Sequence, residues 1–177
     1  MVGNDTHTEV DIAESTSEDV AEPDFDHLTG IITDGFVGAV GGLVGTTVMT
    51  VVLLIGTTLG AFEVGSFATL SELIGLNALL PLDPVAGGYV LFLLNGMITW
   101  PLLFASIGSY LPGTKYATKG IPYGMVLWTG FVMAFYTGQS GIAFVLYLFL
   151  TLLGHVAYGF SLGSVFDYLS ERPETLV

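Results

Sequence analysis

The chain contains no cysteine, three basic residues and three histidines among 177 residues. Without cysteine there are no disulfides and no thiolate metal sites. Three lysines and arginines cannot neutralise a phosphate backbone, so nucleic acid is not an expected partner. Charge of either sign is scarce, at 11% of the chain, where a soluble domain carries about 25%. Apolar residues take its place: 52% of the sequence is hydrophobic, with a mean hydropathy of +0.76. Lipid is therefore the expected solvent for most of it. Glycine is abundant, with 24 copies, as in membrane helices that pack backbone to backbone.

The charge that remains is acidic and concentrated. The formal net charge is −13, and ten of the sixteen acidic residues lie between Asp5 and Asp34. Such a segment buries too little apolar surface to offset the entropy of ordering, which predicts a disordered acidic tail over 1–34. It does not read as a signal peptide, because the positive n-region and its adjoining apolar core are missing. His7 and His27 fall here and read as solvated side chains.

A bilayer-crossing helix needs about twenty apolar residues. Four stretches approach or exceed that, predicting spans at about 36–62, 85–107, 121–138 and 141–166 within a domain over 35–168, followed by a short polar tail over 169–177. The fold class is thus all-α, an integral membrane four-helix bundle. The loop 63–83 carries Thr69-Leu-Ser-Glu72, a capping-box pattern, with Phe67, Leu70, Leu73 and Ile74 at helical spacing; a short interfacial helix is expected there. Pro101 should kink the second span near Met97, and Pro122 should lie in the first turn of the third. Lys115, Lys119 and Arg172 are all the basic residues of the chain. A four-span arrangement puts them on one side, so the positive-inside rule places both termini in the cytoplasm and the chain in the cell membrane.

Inside these spans, few residues carry chemistry. Gly38/Gly42 and Gly41/Gly45 form overlapping GxxxG pairs, and Gly159/Gly163 form another, which makes these six the expected helix-packing positions. The Gly42–Thr47 stretch lacks the lysine of a phosphate loop. Thr46, Thr47, Thr50, Thr57 and Thr58 can return their hydroxyls to the preceding turn. Asn95 and His155 lie in mid-span, where polar groups are costly and need partners. His155, Tyr158, Asn95 and Thr50 are the candidate polar intramembrane site, with Asn95, a threonine of the first span or a tyrosine hydroxyl expected as partner to His155. No catalytic residue and no metal site is expected. No cofactor is expected either; haem on His155 would need a second chain to supply another ligand.

GLVGTTVMT in the first span, GIPYGMVLW opening the third and HVAYGFSLG in the fourth resemble an uncharacterised family of small four-helix membrane proteins from haloarchaea, over roughly residues 36–168. The acid-rich, lysine-poor composition is similar to that of proteins from salt-adapted archaea. Members of that family are sometimes named as subunits accompanying cytochrome oxidases. The resemblance implies a non-catalytic accessory subunit of a membrane complex, a respiratory terminal oxidase, whose glycine faces meet larger subunits or a second copy. The alternative is a small transporter or channel lined by Thr50, Asn95 and His155. A subunit should expose a flat glycine face and lack a cavity, whereas a transporter should have a cavity at the midplane. A lipid-modifying enzyme ranks last for want of catalytic groups.

Overall fold

The computed structural model describes residues 25–79 and 81–170, with side chains from residue 35 onward except at positions 77 and 170. Every regular element among them is helical. Helix α1 (Phe25–Thr58) leads by a turn at Val64–Phe67 into two short helices, α2 (Ala68–Leu73) and α3 (Leu76–Leu79). Helix α4 (Pro84–Leu94) passes through a π-helical turn at Asn95–Thr99 into α5 (Trp100–Ile107), and α6 (Tyr116–Ala134) and α7 (Gly141–Ser170) complete the chain. Three stretches are long and apolar enough to cross a membrane: Gly35–Thr58, Pro84–Tyr110 and Gly141–Leu169. The outward faces agree, for Val51, Leu54, Ile55, Leu102, Leu103, Val145 and Phe149 are exposed, while Thr46, Ser71, Thr151 and His155 are buried. A water-soluble monomer rarely exposes so much contiguous apolar surface.

Helix α1 begins at Phe25, so residues 25–34 of the expected disordered tail are helical; the rest of that tail lies outside the described residues. Phe25, Leu28, Ile31 and Ile32 supply an apolar helical period through the acids, which composition alone obscures. Helix α6 likewise starts at Tyr116, within the expected loop. Its first turn is capped from afar: the Asp167 carboxylate on α7 accepts hydrogen bonds from the Tyr116 and Ala117 N–H groups, both at 2.9 Å. That satisfies two donors that a helix start leaves open. Pro122 consequently lies in the second turn, not the first. The α6–α7 connection turns at Gly138 and Gly141, whose φ values of 92° and 58° suit glycine.

The capping box predicted at Thr69–Glu72 does not form. Helix α2 starts at Ala68, no side chain caps it, and Ser71 Oγ donates instead to the Pro84 carbonyl at 2.7 Å. The expected apolar face is also only half used. Phe67 is buried and Leu70 partly so, but Leu73 is 79% exposed and Ile74 points outward as well. Asp83 caps α4 by accepting from the Ala86 N–H at 2.9 Å, with Pro84 in the first turn.

Glycines set the helix contacts. A methyl group at Gly41 would strike Leu162 and one at Gly45 would strike Tyr158, both on α7, while Gly38 and Gly42 face Pro101 and the π-turn. Helices α6 and α7 meet most closely, where Gly120 faces Gly159, Gly124 faces the His155 backbone and Gly163 faces Tyr116. All six glycines named from the sequence therefore pack within the chain. Helix α6 lies along α7, α1 lies along α7, and α4–α5 rests on α1 through the π-turn; α4 and α6 rarely approach each other closely. That gap becomes the site.

Candidate functional site: a cavity inside the bundle

Pro101 has no N–H to donate, and its ring forces the preceding turn open. The Trp100 N–H bonds to the Asn95 carbonyl, five residues back. The Gly96 carbonyl is thereby left with neither the Trp100 donor nor one from position 101. Tyr158 of α7 supplies the missing bond, its hydroxyl donating to the Gly96 oxygen at 2.8 Å. The approach is close because Gly96 has no side chain, and Thr46 of α1 occupies the space where one would be. Tyr123 Oη adds a second brace, donating to the Trp100 carbonyl at 2.6 Å.

Beside this junction lies a cavity of about 370 Å³. Its polar lining comes from Thr46, Asn95, Thr129, His155 and Tyr158, and its walls include Met49, Phe92, Leu127, Phe131 and Phe135. One end is closed by aromatic packing: Phe67 contacts Phe62, Phe92 and Phe135 with centroids at 5.7, 5.2 and 5.5 Å. The side between α5 and α6 is open, where Trp100 is 36% and Val126 64% exposed and Gly130 contributes no side chain. The lining residues include no carboxylate, lysine or arginine.

At this cavity Asn95, His155 at Nε2 and Thr46, whose Oγ1 is fully covered where it packs on Gly96, have polar atoms without a hydrogen-bond partner among the described residues. Thr46 is 1% exposed and its Oγ1 makes no hydrogen bond, which costs about 1–3 kcal/mol for a buried hydroxyl left unsatisfied. Thr46 was grouped with the threonines expected to bond back to the preceding turn; Thr47 and Thr57 do so, to Leu43 at 2.8 Å and Leu53 at 3.1 Å, but Thr46 does not. His155 is 5% exposed, and its Nδ1 lies 2.8 Å from the Thr151 carbonyl. A carbonyl can only accept, so Nδ1 carries the proton and Nε2 is left as an acceptor. None of the expected cross-helix partners binds the ring; instead its face meets Phe131 edge-on at 4.7 Å. Thr151 is occupied in turn, accepting from Trp128 Nε1 at 3.0 Å and donating to Tyr147 O at 2.6 Å.

Of the four candidates, His155, Tyr158 and Asn95 line the cavity together. Thr50 does not: its hydroxyl lies 3.3 Å from Tyr89 Oη, and it borders a separate apolar pocket of about 300 Å³ between α1 and α4. Asn95 makes no hydrogen bond among the described residues and is available to the cavity. Thr46 is the residue that sequence reading missed. Its signal was one helical turn: in α1, position 46 stacks over position 50, and only the position of the π-turn decides which of them faces Gly96.

Three helices long and apolar enough to cross a membrane, in a structure whose described elements are all helical, make this an all-helical membrane protein. Residues 32–177 match a family described as of unknown function (DUF6789), and the chain belongs to that family. No curated protein and no solved structure matches it.

Proposed function

We propose that this is a four-span protein of the cell membrane, with both termini in the cytoplasm, that binds a small and largely apolar molecule in the cavity between α4–α5 and α6 and loads it sideways from the bilayer. Helix α6 serves as the remaining span; its 19 residues reach about 28 Å at 1.5 Å each, close to the hydrocarbon thickness of about 30 Å. The observation that carries the reading is a largely apolar cavity, open at its side, with a few polar side chains, His155 and Asn95 among them, set into its wall. Ligand pockets combine apolar walls with a few fixed polar groups in this way. The reading belongs with the transporter alternative. The accessory-subunit expectation drew on glycine faces left free for larger subunits, and those faces are filled by the chain's own helices.

The test is native mass spectrometry of the full chain released from its own membrane in mild detergent. The wild-type protein should retain a bound small molecule. Gly130→Phe should lose it, because a side chain there projects into open space at the mouth and so blocks entry without disturbing packing. Retention unaffected by Gly130→Phe contradicts the reading.

A further inference from the structure

We infer that the molecule is a lipid-soluble phenol or hydroquinone, its aromatic ring held among Phe92, Phe131 and Phe135 and its hydroxyl donating to His155 Nε2. This rests on the cavity being a binding site and adds the chemistry of what it selects. His155 lines the cavity, and the Thr151 carbonyl keeps its proton on Nδ1, which leaves Nε2 as an acceptor. Nε2 is also within reach. Among the described residues, Thr46 Oγ1 is the one buried side-chain polar atom both fully covered and unbonded. Nε2 makes no bond either, so its surface is open, and the cavity is the space its ring lines. What docks there must therefore donate. A ketone, quinone, ester, ether or hydrocarbon has no proton to give. An ammonium would bring a charge into a lining without a carboxylate, and a carboxylic acid would form an ion pair that no further charged group supports; both are costly away from water. Neutral donors remain, and among them the phenol O–H is the most acidic and bonds an imidazole lone pair most strongly.

The walls favour a ring. Five of the sixteen lining residues are Phe, Trp or Tyr, against 12% of the chain. Phe131 stacks on Phe135 with centroids at 4.2 Å and meets the His155 ring at 4.7 Å, so an aromatic surface runs up to the imidazole. A planar ring packs on such a surface edge-on or offset, with an attraction beyond that of the area it buries. The volume of about 370 Å³ is more than twice the roughly 150 Å³ of an engineered apolar cavity that binds benzene. It holds a substituted ring and the first carbons of a tail, and the remainder passes into the bilayer by Trp100, Val126 and Gly130. Asn95 both donates and accepts, so it takes a second ring substituent of either kind. Water also donates to Nε2, and the experiment separates it from a phenol.

The test uses the full chain in lipid nanodiscs and three photoreactive probes sharing one aliphatic chain: a para-alkylphenol, its methyl ether and the matching alkylcyclohexanol. Crosslinking is read at the peptide bearing Val126 and Gly130. The phenol should label roughly five- to tenfold more than the ether, the difference made by one hydrogen bond, with the cyclohexanol between them. His155→Phe removes the acceptor and keeps a ring, and should bring the phenol down to the level of the ether while leaving the ether unchanged. Gly130→Phe should lower labelling by all three. Phenol and ether labelling equally, both still lowered by Gly130→Phe, overturns the donor assignment and leaves the cavity as a site for apolar chains. Cyclohexanol labelling as strongly as the phenol overturns the aromatic assignment. Labelling that is absent, or indifferent to Gly130→Phe, overturns this inference and the binding-site reading together, and is the outcome expected if the cavity holds water alone. The wild-type comparison of phenol with ether decides without any variant, so a poorly folding His155→Phe does not leave the question open.

Discussion

The Gly96 carbonyl and the Tyr158 hydroxyl show how a single residue can shape a cavity. Pro101 denies the carbonyl a helical donor, and Tyr158 restores one from another helix. Tyr158→Phe leaves that oxygen buried and unbonded, and we expect a loss of about 1–3 kcal/mol, measured as an earlier unfolding midpoint in a detergent titration. Pro101→Ala returns an N–H at the required position. The cost of Tyr158→Phe should therefore shrink in a Pro101→Ala background, and a double-mutant cycle should find coupling within the roughly 0.5–3 kcal/mol known for linked groups. Additive costs would show that Tyr158 is merely packed there. Sequence alone gave Pro101 as the kink and Asn95 as its neighbour, because a proline's effect on its own helix is local. It could not give Tyr158 as the donor or Thr46 as the orphan, since both depend on how two other helices are rotated.

At the level of elements, apolar runs and glycine spacing made the helices legible, while their ends were read less well. The start of α6 was placed too late because its cap is Asp167, fifty residues along the chain; no local pattern could reveal it. Asp167→Ala should cost about 1–2 kcal/mol, as other lost N-terminal caps do, and should raise amide exchange over Tyr116–Gly120 before any other part of α6. Unchanged exchange there would mean that α6 begins elsewhere. The glycine pairs were legible as packing sites but not as to partner. Gly120→Ala sets a methyl against the Gly159 carbonyl and should destabilise the α6–α7 pair, whereas Gly130→Ala meets nothing within 4 Å and should be neutral or slightly stabilising through helix propensity. Parallel thermal melts of the two variants check this.

For the whole molecule, two features follow from lipid as solvent: the outward faces are largely apolar, and the exposed hydroxyls of Thr47, Thr58, Ser106 and Thr129 return to carbonyls of their own helices. The proposed four-span topology makes a separate prediction, and the absence of cysteine makes it easy to test. In intact cells, a membrane-impermeant maleimide should label Ser140→Cys and should label Lys115→Cys only after permeabilisation. The reverse pattern would invert the topology, and labelling of both from outside would remove α6 as a span.

Occupation of the cavity from the bilayer is tested most directly by fluorescence of Trp100, which stands at its mouth. The chain has two tryptophans, so a Trp128→Phe background leaves Trp100 as the reporter. With the protein in nanodiscs, a brominated long-chain alcohol should quench Trp100 along a saturable, single-site curve, and Gly130→Phe should abolish the saturable part. Quenching that rises linearly with probe and is the same in both proteins is what simple partition into the bilayer produces, and it would contradict the account.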